Sequence, residues 1–123
     1  MIDNLNYLET KTEKYPYIFS INVMEKIQDE YGTIDRFLNL IQREGEPDIK
    51  ALKFFMTEAI NDGIDIENDK TGEKRKSITS KKVGWVLTEI GFSNIGNKVT
   101  DAILSSVATD DTEKNAQTTE SQK

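Results

Sequence analysis

Histidine and cysteine are both absent from the 123 residues, and proline and tryptophan are scarce, at two and one. Without histidine or cysteine there can be no Ser-His-Asp triad, no thiol nucleophile, no zinc finger and no disulfide framework. Catalysis would fall to carboxylates, lysines, tyrosines or hydroxyls. Long apolar runs are missing too: nothing approaches the roughly 18 continuous apolar residues of a membrane span. The first residues lack the basic leader and apolar run of a secretory signal, and the absence of cysteine suits a reducing cytoplasm. Apolar residues make up 36% and charged residues 31%, with a mean hydropathy of −0.60. That is lean for a globular protein but richer than a disordered chain. A modest core is expected, in a binding or assembly protein rather than an enzyme.

Charge is unevenly spread within a net −6. From Met1 to Asp69 acids outnumber bases 15 to 7, whereas Lys70, Lys74, Arg75, Lys76, Lys81 and Lys82 crowd into the next thirteen positions against Glu73 alone. That run is the one argument for a polyanion, because phosphate contacts by Lys and Arg supply most nucleic-acid affinity. More often such a run is a solvated loop and helix start.

Leu5 to Thr10 and Tyr15 to Ser20 are rich in Tyr, Leu, Ile and Phe and flank Lys11-Thr12-Glu13-Lys14, the pattern of a β-hairpin. Pro16 places its strand at an edge. Helical spacing then takes over. Ile21, Met24, Ile27 or Gln28, and Tyr31 form a first face, capped by Ser20 or Asn22 and stopped at Gly32. Thr33 caps a second helix carrying Ile34, Phe37, Leu38 and Ile41. A third, with Pro47 in its first turn, buries Ile49, Leu52, Met56, Ala59 and Ile60 and ends at Gly63. Residues 64–78 suit a second short hairpin turning at Gly72, with a loop as the alternative because the return arm is so charged. A fourth helix, capped by Thr79 or Ser80, carries Val83, Val86, Leu87 and Ile90, and a fifth carries Ile95, Val99, Ala102 and Ile103. The expected fold is mainly α: a bundle of about five helices with an N-terminal β-hairpin, one domain over 1–108. The polar segment 109–123 is too poor in apolar residues to offset the entropy of ordering it and is expected to be disordered.

Chemical motifs are thin. Asp65-x-Glu67-x-Asp69 resembles the opening of a calcium loop, but lysines stand where the glycine and the twelfth-position acid belong, so no metal is expected. Thr71-Gly72-Glu73-Lys74 lacks phosphate-loop spacing, and no cofactor is implied. The last two helices make a helix–turn–helix-like pair after the basic run, and a small nucleic-acid-binding regulator using residues 70–82 is the alternative reading. Its second helix offers only Lys98, Asn94 and Asn97 as readers. Aromatic placement says more. At 100° per residue Phe54 lies opposite the apolar stripe of its helix, and Trp85 and Leu104 lie off theirs. Such groups either widen the core or meet a partner. With the neighbouring Phe55 and Phe92 they are the candidate partner-binding residues.

The run Tyr15-Pro16-Tyr17-Ile18-Phe19-Ser20-Ile21-Asn22-Val23-Met24, its acidic helix ending Tyr31-Gly32, the helix from Asp48 to Asp62, and Thr79-x-x-x-Val83-Gly84 together resemble the tail assembly chaperones of long, non-contractile-tailed bacteriophages. The resemblance spans about Leu5 to Val107 and carries no catalytic signature; the basic run departs from it. It implies a non-enzymatic factor in the host bacterial cytoplasm that binds the tail tape measure protein and the tail tube protein and is missing from the mature virion. A membrane partner is not implied, and self-association stays open.

Overall fold

The structure is a computed structural model and describes residues 5–43, 45–91 and 93–105. The expected tail at 109–123 and the candidate Phe92 lie outside the described residues. Strands β1 (Asn6–Glu9) and β2 (Lys14–Tyr17) pair antiparallel, with Leu8 opposite Tyr15 and Tyr7 opposite Pro16. Thr10 shapes the turn: its backbone N–H donates to the Glu13 carbonyl at 2.8 Å, and its hydroxyl oxygen accepts from the Glu13 N–H at 3.0 Å. A two-stranded sheet leaves each strand an open edge, which accommodates Pro16.

Among the described residues five helices follow, so the architecture is the expected mainly helical one with an N-terminal hairpin. They are α1 (Ile21–Tyr31), α2 (Ile34–Gln42), α3 (Ile49–Thr71), α4 (Ser80–Ile90) and α5, over 93–105. Ser20, Thr33, Asp48 and Thr79 each accept a backbone N–H from the first turn of α1 to α4 respectively. Asp48 is therefore the cap of α3, and Pro47 lies just before the helix rather than in its first turn. Ser20 also donates its hydroxyl to the Asp62 carboxylate, fastening the start of α1 to α3.

The central element is α3, about 35 Å long for its 23 residues. It packs on β2, α1, α2 and α4. It does not stop at Gly63, and residues 64–78 form no second hairpin. Gly63 serves close approach instead: a Cβ built there would lie 2.7 Å from the Pro16 carbonyl oxygen. Ile64 is fully buried in the continuing helix, which ends at Gly72 with a φ of 80°. The chain then returns along α3 as an extended strap.

Two asparagines hold that strap. Asn61 donates to the Ile78 carbonyl at 3.1 Å and accepts the Ile78 N–H at 2.7 Å. Asn68 treats Arg75 the same way, at 2.9 and 3.1 Å. The spacing is geometric: seven helical residues rise about 10.5 Å, and three extended residues cover about 10 Å. Two clamps seven apart on α3 thus meet backbone three apart on the strap.

Phe55 is the aromatic centre of the core, with ring centroids 5.8 Å from Phe19 and 5.6 Å from Phe37. Ile95, Val99 and Ile103 of α5 are fully buried in the same cluster. Two expected core positions are exposed. Ile21 is 74% exposed because α1 buries Val23 and Ile27, and residues two apart on a helix point about 200° away from each other. Ile49 is 57% exposed because it stands on the first turn of α3, where it and Leu87 and Thr88, near the end of α4, leave open space between them.

Candidate partner-binding site

Where α4 lies against the N-terminal half of α3, the two helices leave a shallow apolar groove. The pairs Asn61–Ile78, Lys53–Gly84 and Ile49–Thr88 show that the chain from the strap onward runs antiparallel to α3. Near the α3 start, Ile49, Lys53, Gly84, Leu87 and Thr88 line about 310 Å³ of open space. Gly84 supplies a low floor, over which the Lys53 side chain extends. A Cβ at Gly84 would meet the Lys53 Cε at 3.6 Å and Nζ at 3.7 Å, so the lysine methylenes cover the glycine.

Trp85 forms the ridge beside this groove. Helical geometry turns it about 100° from Gly84, to the middle of the exposed arc of α4, and it is 62% exposed. The Lys81 ammonium stands 5.9 Å from its ring centroid, one turn earlier on the same face. On its other flank a second, more polar depression runs toward the hairpin turn, lined by Thr10, Glu13, Lys82, Val86 and Glu89. Glu89 faces that way and accepts the Lys11 N–H at 2.7 Å.

The candidate residues are distributed unequally. Trp85 and Leu104 are exposed, at 62% and 51%, and so do not widen the core. Phe54 is half-buried and packs edge-on against Tyr31, with centroids 5.8 Å apart. Phe55 is fully buried and leaves the candidate set, because the helix face next to Phe54 is covered by α1, α2 and the residues after β2. Ile49 and Lys53 join the site instead. The signal for Ile49 is its place directly after the Asp48 cap, since a first-turn residue has neighbours on only one side along the axis.

The basic run resolves in part into structure. Arg75 donates to the Lys14 carbonyl at 3.1 Å, pairs with Glu13 at 3.1 Å and lies 5.0 Å over the Tyr15 ring. It fastens the strap to the hairpin. Asn94 is likewise engaged, donating to the Ile90 carbonyl at 3.2 Å where α4 meets α5. Asp65, Glu67 and Asp69 sit within α3, not in a loop, and Glu67 accepts the Tyr7 hydroxyl at 2.7 Å. Among the described residues no group of three or more acids is placed to hold a metal ion, and no helix is long and apolar enough to cross a membrane. Compared with protein-family models, curated proteins and solved structures, the chain has no match.

Proposed function

We propose that this chain is a non-enzymatic tail assembly chaperone of a long, non-contractile-tailed bacteriophage. It masks apolar segments of the tape measure protein, or of the tail tube protein, while the tail is built. The observation that carries the reading is the exposed Trp85 beside an apolar groove, in a chain otherwise frugal with apolar residues. Covering the exposed part of such a ring removes on the order of 100–150 Å² from water, a gross gain of about 3–4 kcal/mol before ordering costs. Large aromatics in that position are typical anchors of protein interfaces. The sequence features from Tyr15 to Gly32 and from Thr79 to Gly84 supply the choice of family.

On this reading the protein works in the host bacterial cytoplasm and is missing from mature particles. Co-expression is the test. A tape measure fragment should partition into the soluble fraction with the wild-type chain and precipitate with Ile49→Ser/Trp85→Ser, whose fold is checked by circular dichroism. A fragment equally soluble without the chain, or equally protected by the double variant, rejects the reading. Mass spectrometry of purified particles separates a chaperone that leaves from a virion component.

A further inference from the structure

We infer that the α3–α4 groove takes an amphipathic helix whose apolar stripe is bordered by carboxylates. This deepens the proposal that the Trp85 face binds a client, and rests on it. The first argument is charge. The chain carries a net −6, yet the border of this groove is cationic. Lys53 lines it, Lys81 leans over Trp85, and Lys50 is exposed on the first turn of α3. None of the three makes an ion pair among the described residues. The nearby acids are turned away or occupied. Glu89 is bonded toward the hairpin, Asp48 caps α3, and Glu58 lies about 180° around α3 from Ile49.

The second argument is backbone satisfaction. Both walls of the groove are helices whose N–H and C=O groups bond internally, so an extended client would leave its own backbone groups without partners there. A helix brings its backbone already paired and offers only side chains, the helix-in-groove mode of recognition. Ile49 and Trp85 stand on opposite sides of the groove to hold an apolar stripe between them, above the Lys53 side chain that covers Gly84. Carboxylates along its margins then reach Lys53 on one side and Lys81 on the other.

Trp85 is the sole tryptophan, so its emission reports directly on the groove. The test uses the full chain and two synthetic helical peptides with one shared Leu/Ile stripe, flanked in one by Glu and in the other by Lys. At about 0.01 M salt, where screening reaches only beyond ~30 Å, the Glu peptide should blue-shift Trp85 emission and bind on the order of ten-fold tighter than the Lys peptide. At about 1 M salt, with a screening length of ~3 Å, the preference should collapse. Lys53→Glu/Lys81→Glu, with unchanged circular dichroism, should reverse it. Equal binding of both peptides at low salt, binding that leaves Trp85 emission unmoved, or a dimer abolished by Trp85→Ser would each overturn the inference. Glu-peptide binding without client protection rejects the chaperone reading alone; client protection without charge preference rejects only the carboxylate-bordered partner.

Discussion

The backbone of Gly63 lies against the backbone of Pro16, with a Cβ at residue 63 only 2.7 Å from the proline carbonyl oxygen. This contact sets the distance between the hairpin and the central helix, and Ile18, two residues on, donates its N–H to the Ala59 carbonyl at 3.3 Å. Alanine is the better helix former by about 1 kcal/mol, but here the methyl group must push β2 off α3. Gly63→Ala should therefore destabilise the fold by a net ~1–3 kcal/mol, as overpacking of a tight contact does. Gly96→Ala is the control: that helical glycine has open space around its would-be Cβ. It should stabilise by about 0.5–1 kcal/mol. Urea unfolding of the two variants checks both signs.

The strap gives a second prediction. Asn61 satisfies both the N–H and the carbonyl of half-buried Ile78. Asn61→Ala leaves both without their protein partner and should cost about 2 kcal/mol. Asn61→Asp keeps an acceptor for the N–H and loses the donor to the carbonyl, so its loss should be smaller. Amide exchange at Ile78 should accelerate in the alanine variant by more than the global destabilisation explains. Exchange that tracks global stability would mean that the strap is held by something else.

These two contacts also mark where the sequence is readable and where it is not. Ser20, Thr33, Thr79, Gly32 and Gly91 are local signals, and the helix ends they announce are in place. Gly63 carries the same letter with a different cause. Its role depends on Pro16, 47 residues earlier, and no local pattern distinguishes a helix stop from a glycine that admits a neighbouring backbone. The strap is illegible for a related reason: residues 73–78 have no period of their own and take their shape from asparagines on another element. Trp85 and Leu104 were visible as off-stripe groups because their helices each present one buried face. The same count sets Phe55 about 60° from Leu52, on the buried stripe, and Phe54 opposite it; it does not show that Phe54 is half-buried too, because α3 is covered on several sides.

Buried and exposed aromatics should part company in stability. Phe55 is fully buried between Phe19 and Phe37, so Phe55→Ala should cost about 3–5 kcal/mol. For a domain this small, with total stability of about 5–15 kcal/mol, that is a large fraction. Trp85→Ser removes a side chain that water already reaches and should change stability by no more than ~0.5 kcal/mol. Chemical denaturation followed by circular dichroism checks the pair. A Trp85→Ser loss comparable with that of Phe55→Ala would make the tryptophan a structural residue and remove the basis for the docking face.

Alkaline pH tests the packing of the tyrosines. All four are held above the ordinary 10.0, three chiefly by burial and Tyr7 chiefly by a hydrogen bond. The Glu67 carboxylate that accepts the Tyr7 hydroxyl raises Tyr7, with lesser contributions from burial and charge. Burial leads for Tyr15, aided by Glu13 and opposed by Arg75. It leads again for Tyr17, with the Asp101 charge, and for Tyr31, with the charges of Asp48 and Glu30. A phenol is neutral when protonated, so in each case the folded chain keeps a proton that the unfolded chain releases near pH 10. Between the unfolded and folded values the native state binds more protons, and stability must fall as pH rises. The tyrosine contribution is therefore complete below about pH 10 and is lost as pH climbs through the folded values. Tyrosinate absorbance should appear at higher pH in the native protein than in urea. Tyr17→Phe, which deletes a hydroxyl held up chiefly by burial, should flatten the alkaline loss of stability. Native and unfolded titrations that coincide would show that these rings are more open to water than their packing allows.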